Sequence, residues 1–385
     1  MRTISKNLSN LTRSGIRMIL DKAVLLEESY HLEIGDPGFD TPEHIQAAAI
    51  SAIKEGNTHY TTHAGMPSLR EAIQGKVAKE NNINAKFEQI GVTPGGVFAV
   101  AAAMMAISEK GDEILIPDPG WPNYHTQSVV IGLKPVYYHL SLDSNFQPDI
   151  SGIESKISSR TRGIVINSPG NPTGAVFSHQ VMQDLLEMCE KHDIYLISDE
   201  VYECIIYEGE HFSPASMDPG DRVITIFATS KTYAMTGWRI GYYVAPQPVA
   251  KAMGRAIESY LSCASSVSQI AAHAALTGPQ DCIAEMVRSY AERKDICVDA
   301  LEKAGIGYAT PQGAFYLMLG ISDTGLGSYD FSTQLLDATG VAIAPGLTFG
   351  PKSDQIIRIS YCANKEDVEE GIQRMCRFYQ ACTNV

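Results

Sequence analysis

Five short, nearly uninterrupted apolar runs mark this chain: residues 113–117 (Glu-Ile-Leu-Ile-Pro), 163–167 (Gly-Ile-Val-Ile-Asn), 194–198 (Ile-Tyr-Leu-Ile-Ser), 223–227 (Val-Ile-Thr-Ile-Phe) and 241–245 (Gly-Tyr-Tyr-Val-Ala). A strand covered on both faces must be apolar at successive positions, so the runs predict a largely parallel central sheet flanked by helices. Helical stretches lie between them. Leu69, Ile73 and Val77 recur on one face after Ser68-x-x-Glu71, which reads as a capping box, and Thr41-Pro42 reads as a cap followed by proline in the first turn. The apolar run from Val97 to Ile107 is too short to span a bilayer and fits a buried helix. Residues 282–305 read as one long helix ended by Gly305, leading to strands at 314–319 and 356–360 and a last helix near 365–380.

With 385 residues and no repeat, low-complexity tract or long linker, two interleaved domains are expected. The larger spans 41–284, and the smaller is formed by 1–40 together with 285–385. A net charge of -14 argues against nucleic acid, because a phosphate backbone is bound by a clustered basic surface. The eight cysteines show no C-x-x-C and no paired spacing, which predicts free thiols in a reducing compartment. Met-Arg-Thr-Ile-Ser-Lys-Asn lacks the apolar core of a signal peptide, so a cytoplasmic protein with no membrane association is expected. No G-x-G-x-x-G follows a strand and no Walker-type loop occurs. His59 and His63 have helix-ligand spacing, but they flank Tyr60-Thr-Thr and precede Gly65, and so read as loop residues rather than metal ligands.

The chemistry gathers where the predicted strands end, which is where an open α/β sheet binds its ligand. After 163–167 comes Ser168-Pro-Gly-Asn171-Pro-Thr-Gly174, after 194–198 comes Asp199-Glu-Val-Tyr202, and after 223–227 comes Lys231. A lysine amine held away from water loses part of its preference for charge and can attack a carbonyl. Arg239, in Gly237-Trp238-Arg239, supplies a planar fork suited to phosphate. Gly95-Gly96-Val97 leads into the apolar helix and aims free N–H groups and a helix dipole at one spot, again suiting phosphate. A carbonyl and a phosphate on one small molecule describe pyridoxal phosphate. Its ring nitrogen needs a fixed carboxylate, for which Asp199 is placed, and its ring hydroxyl needs donors, for which Asn171 and Tyr202 are candidates. Trp121, in Asp118-Pro-Gly-Trp, can stack on the ring.

In order and spacing these stretches resemble the class I, fold type I, pyridoxal-phosphate-dependent aminotransferases over nearly the whole chain. The likeness runs from Ile34-Gly-Asp-Pro-Gly-Phe-Asp-Thr-Pro through Ala228-Thr-Ser-Lys231 to Pro345-Gly and Ile357-Arg-Ile-Ser. It implies an amino-group transfer between an L-amino acid and a 2-oxo acid, ping-pong, through an aldimine on Lys231. It assigns catalytic roles to Lys231, Asp199 and Tyr202. The cofactor would be held by Gly95, Gly96, Val97, Trp121, Asn171, Ser230 and Arg239, with Tyr60 reaching the phosphate from a neighbouring subunit, which implies a homodimer. Gly35, Trp121, Asn171 and Arg358 would face the substrate, Arg358 forking onto its α-carboxylate. One departure is Ala228, where the family often carries a phosphate-binding serine; Ser230 or Thr229 are the available replacements. The alternative within this fold is a lyase, cyclase or synthase. No cation is plainly reserved for a second carboxylate, which points to a neutral or aromatic amino acid or broad specificity, with the segment near Ser14 to Arg17 contributing to the pocket.

Overall fold

The computed structural model describes residues 4–9, 11, 13–218 and 221–383. The ends of the expected small domain, residues 1–3 and 384–385, therefore lie outside the described residues. In chain order the strands are β1 (Tyr30–His31), β2 (Ile90–Thr93), β3 (Glu113–Asp118), β4 (Lys134–His139), β5 (Thr161–Asn167) and β6 (Tyr195–Asp199). They continue with β7 (Val223–Ala228), β8 (Gly241–Val244), β9 (Tyr316–Gly320), β10 (Val341–Ala342), β11 (Ala344–Pro345) and β12 (Ile356–Ser360).

Seven strands form the main sheet in the order β2-β8-β7-β6-β5-β3-β4. β3 and β7 are buried at every position, as their continuous apolar runs require. Apolar side chains cover both faces. On one, Val100, Met104 and Ile257 from helices Gly96–Ile107 and Gln247–Leu261 pack on Ile114, Val165, Ile197 and Ile226. On the other, Met182, Leu185 and Leu186 of helix His179–His192 pack on Leu115, Ile164 and Leu196. Each fully buried Leu or Ile contributes about 1.5–3 kcal/mol against chain entropy.

The sheet departs from the pattern in three places. β8 runs antiparallel to both β2 and β7, because residues 229–240 turn back at the strand ends instead of crossing over through a long helix. β4 has no counterpart among the apolar runs. It lies at the sheet edge with one partner, where Pro135 and exposed polar positions are tolerated. β2 is only four residues long and contains Gly91, whose added Cβ would lie 2.2 Å from Tyr243 Oη, so close packing explains that glycine.

Two helix starts also differ from the sequence reading. Ser68 lies inside helix Pro67–Glu80, whose N-cap is Met66, and no capping box forms. Helix Glu43–Lys54 is preceded by Pro42, while the Thr41 hydroxyl donates to Ala234 O at 2.7 Å and accepts from Trp238 Nε1 at 2.9 Å. Thr41 thus anchors the loop after Lys231 instead of capping a helix.

The long helix is Asp281–Ala304, ended by left-handed Gly305. It packs with the antiparallel sheet β11-β12-β9 and with helix Lys365–Thr383 in a separate core that includes Tyr290, Leu301, Phe315, Ile359 and Ile372. The N-terminal segment joins this part: β1 pairs with β10, Leu32 enters the same core, and Ile19 and Ala23 of helix Gly15–Ala23 pack on Leu336 and Ala342. All eight cysteines are free, and His59 and His63 lie in a loop. No helix among the described residues is long and apolar enough to cross a membrane.

Candidate active site

Register in the main sheet puts the ends of β5 and β6 level, with Asn167 opposite Asp199. Beyond these ends opens a cavity of about 290 Å³ lined, among others, by Lys231, Asp199, Arg239 and Arg358. Asn171, Tyr202, Trp121, Gly96, Val97, Ser230, Ala228 and Gly35 also line it.

Asp199 is 4% exposed and accepts a hydrogen bond from Tyr124 Oη at 2.6 Å. Burial pushes its carboxyl up to about 6, against the lowering effect of that bond. The same burial, together with the Asp199 charge, raises the Tyr124 phenol well above its usual range. Asn167 supports the arrangement, donating from Nδ2 to Asp199 O at 2.8 Å and accepting from Asn171 N at 2.7 Å. Lys231 sits on a short helical turn after β7 and donates from Nζ to Gly35 O at 2.7 Å. Burial lowers its pKa, as do the Arg239 and Arg358 charges, against the raising effect of Cys362 and Asp36. This makes the neutral, nucleophilic amine easier to reach.

Arg239 occupies a left-handed position, φ 55°, at the end of the turn Thr236–Trp238, and spends Nη1 on Thr236 O at 2.8 Å. Its other amino nitrogen faces Gly95, where an added Cβ would lie 2.7 Å from Nη2 and where φ is +82°. Gly96 opens helix Gly96–Ile107, so its N-terminus meets the guanidinium across a gap no side chain could share. On the opposite wall Arg358, 2% exposed, donates from Nη1 to Asn171 Oδ1 at 3.0 Å and from Nη2 to Glu33 O, leaving Nε without a protein partner. Tyr202 Oη lies 2.9 Å from Tyr316 Oη and 3.5 Å from Asn171 Nδ2. Gly35 must be glycine, because a Cβ there would be 1.8 Å from Tyr316 Oη.

A family model described as aminotransferase class I and II matches residues 28–375. The chain belongs to this family. It is 38% identical to an aspartate aminotransferase of Pyrococcus horikoshii over 97% of this chain and 96% of that protein. It is 36% identical to aromatic-amino-acid aminotransferase 2 of Thermococcus litoralis, with 97% of each covered. The solved structure of Thermus thermophilus aspartate aminotransferase with maleate superposes with a TM-score of 0.93 at 34% identity, covering 98% of this chain and 100% of that one. The enzyme is therefore an aminotransferase of fold type I, and the lyase, cyclase or synthase alternative is not favoured.

Family and fold imply dependence on pyridoxal phosphate. The residues present fit that group: a cradle emptied of side chain at Gly95 between a guanidinium and a helix N-terminus, and a buried carboxylate and a lysine of lowered pKa that line the same cavity.

Of the residues singled out in the sequence, Gly95, Tyr60 and Thr229 do not line the cavity of the single chain. Gly95 packs against the Arg239 guanidinium, and Tyr60 is 89% exposed. Tyr124, Asn167, Glu33 and Tyr316 join the site without having been singled out. Tyr124 follows Trp121 by three residues on helix Pro122–Ile131, and Asn167 closes an apolar run, so strand-end position was the available signal for both. Tyr316 opens the buried strand β9, where nothing local separates it from core. At the departure noted above, Thr229 Oγ1 is committed to Ile240 O at 3.3 Å, whereas Ser230 lines the cavity beside Ala228.

Proposed function

We propose that this aminotransferase exchanges the amino group of a dicarboxylic amino acid with a 2-oxo acid, accepts aromatic amino acids in the same pocket, and uses the residues assigned above in the roles that follow. The carrying observation is the convergence of Lys231, Asp199, Arg239 and Arg358 on one cavity. Bound there, pyridoxal phosphate supplies the carbonyl that takes up the amino group and the ring that accepts the electron pair released at the substrate α-carbon.

Arg239 and the N–H groups at the start of helix Gly96–Ile107 hold the phosphate. Asp199, kept in place by Tyr124 Oη and Asn167, keeps a proton on the ring nitrogen. Asn171 and Tyr202 hold the ring hydroxyl, and Trp121 stacks on the ring. Arg358 takes the substrate α-carboxylate in a planar fork already aimed by Asn171 and Glu33 O, beside the Gly35 backbone. Lys231 Nζ, once released from Gly35 O, would be the group that takes and returns the proton at the substrate α-carbon. Tyr60 completes the phosphate site from the second subunit of a homodimer. In this reading a large domain, 41–284, carries the cofactor, and the two ends of the chain form the small one. Free thiols and an acidic surface support a cytoplasmic setting.

For the substrate, relatives are named for aspartate and for aromatic amino acids. Ile16, Val97 and Trp121 give the cavity apolar walls. Arg17 lines its mouth and is exposed, and it is a guanidinium that none of the cofactor or α-carboxylate roles uses. We infer that Arg17 meets the distal carboxylate. A spectroscopic screen of amino acids with the holoenzyme tests this. Arg17→Gln is expected to raise KM for aspartate about tenfold, the worth of one exposed charge-assisted hydrogen bond, and to leave phenylalanine within about twofold. Equal changes for both substrates would place the distal site elsewhere.

A further inference from the structure

Directly behind Asp199, on the side turned from the cavity, lies a charged cluster that the reaction does not touch. Glu200 is fully buried. Its Oε1 accepts from Ser198 Oγ at 2.8 Å and Ser213 Oγ at 2.9 Å, and its Oε2 is 2.8 Å from His211 Nε2. Its backbone N–H donates to Ile226 O of β7 at 2.8 Å. Ser198 and Glu200 share one side of the strand end and Asp199 points to the other, the alternation of an extended chain. Neither Glu200 nor His211 lines the cavity.

A buried carboxylate without a partner is strongly destabilising, and its charge would bear on the adjacent Asp199. We propose that Glu200 and His211 form a buried ion pair in which His211 cancels the Glu200 charge next to Asp199, so that His211 acts on the aminotransferase reaction through the charge felt at Asp199. Three hydrogen bonds from β6 and from the segment around 211–213 fix Glu200, and Glu200 lies between Asp199 and the turn that carries Tyr202. Among the described residues His211 Nδ1 has no hydrogen-bond partner, so the ring is held through Nε2 by Glu200. The Glu200 charge raises the His211 pKa against the lowering effect of burial, and the same charge raises that of Asp199. Other charged groups facing the pair are themselves matched: Lys76, from helix Pro67–Glu80, bonds Glu203, whose Oε2 also accepts from Asn81 Nδ2 at 2.6 Å. Glu80 lies 3.9 Å from Lys76 Nζ, and burial pushes the Cys204 thiol up to about 12 and raises the Tyr242 phenol well above its range, so both stay neutral. Glu200, Glu203 and His211 have the proximity of a metal-binding trio, but the ammonium of Lys76 already fills the cationic role at Glu203.

The inference rests on Asp199 facing the ring nitrogen. It is tested by titrating the visible absorbance of the bound cofactor in holoenzyme of wild type, His211→Gln, Glu200→Gln and the double variant. Removing only the histidine leaves Glu200 charged and unpaired, and is expected to move the titration up by about one pH unit and lower kcat about tenfold with KM within about twofold. Glu200→Gln and the double variant keep the site neutral and are expected to move the titration by less than about 0.3 unit, so the second substitution rescues the first. Should His211→Gln not fold, Ser213→Ala, which removes one donor from Glu200, is expected to move the titration in the same direction by less. An unshifted titration in His211→Gln and Ser213→Ala, or equal shifts in single and double variants, overturns the proposal. If Asp199→Asn changes kcat and absorbance but these variants do not, only the ion pair is wrong; if Asp199→Asn also changes nothing, the reading of the site falls with it.

Discussion

The two walls of the cavity are built in different ways. One consists of strand ends in a single sheet: Asn167 and Asp199 are set level by register, and Lys231 and Arg239 follow in the connection from β7 to β8. The other is assembled across the chain, with Arg358 bonded to Asn171 and Glu33 and Lys231 reaching Gly35, pairs separated by 187, 325 and 196 residues. The first wall is fixed by local sequence in a buried sheet. The second exists only once residues near the two ends of the chain have packed together.

The largest effect that would break this comparison is expected at the strand-end wall. Lys231→Ala should lower turnover by at least about 10⁴-fold, the upper range for a lost proton-transfer group. Borohydride reduction of the wild-type holoenzyme followed by peptide mass spectrometry should place the adduct on Lys231; an adduct on another lysine would refute the assignment.

Next in size is Asp199→Asn, expected to lower kcat about 10²–10³-fold through loss of the ring-nitrogen partner. This wall also carries a stability signature. Because burial pushes the folded Asp199 carboxyl up to about 6, above the ordinary carboxylate range near 4, the folded apoprotein holds its proton more tightly than the unfolded chain does. Stability then falls as pH rises from about 4 to about 6, and above that window the buried charge costs up to about 3 kcal/mol. Apoprotein carrying Asp199→Asn should accordingly unfold later than wild type at pH 7–8 and alike below pH 4. A gain independent of pH would mean that Asp199 is not ionised in the apoprotein.

At the assembled wall a smaller and differently shaped effect is expected. Arg358→Lys replaces a fork by a point charge and should raise KM for the amino acid about 10- to 100-fold, with kcat changed much less. A fall in kcat alone would remove Arg358 from the α-carboxylate. Smallest is Ser230→Ala, expected to weaken pyridoxal phosphate about tenfold, whereas Thr229→Val, whose hydroxyl is spent on Ile240 O, should leave the dissociation constant nearly unchanged. The reverse order would show that Thr229 stands in for the serine missing at position 228.

The strand-end wall was the legible one. Continuous apolar runs can satisfy only a sheet covered on both sides, and the polar residues that close them fall on its ligand-binding edge, which is why Asp199, Asn171 and Lys231 could be named from the chain alone. Where a run was short or lay at an edge, as in β2 and β4, the pattern failed, because an edge strand need not be apolar throughout. Cap chemistry misled at Thr41 and Ser68 because Thr41 found tertiary partners in Ala234 and Trp238, and the helix starts at Pro67, one residue before Ser68.

The sequence by itself determined a covered, mostly parallel sheet and the residue types at its carboxyl edge, since burial and turn chemistry act over a few neighbours at a time. Only the tertiary structure decided that β8 runs antiparallel, that Tyr124 bonds Asp199, that Tyr316 leaves room for no side chain at Gly35, and that Glu200 is paired with His211. Each of these depends on which surfaces meet after folding, and a hydrogen bond between distant residues leaves no periodic trace in the chain.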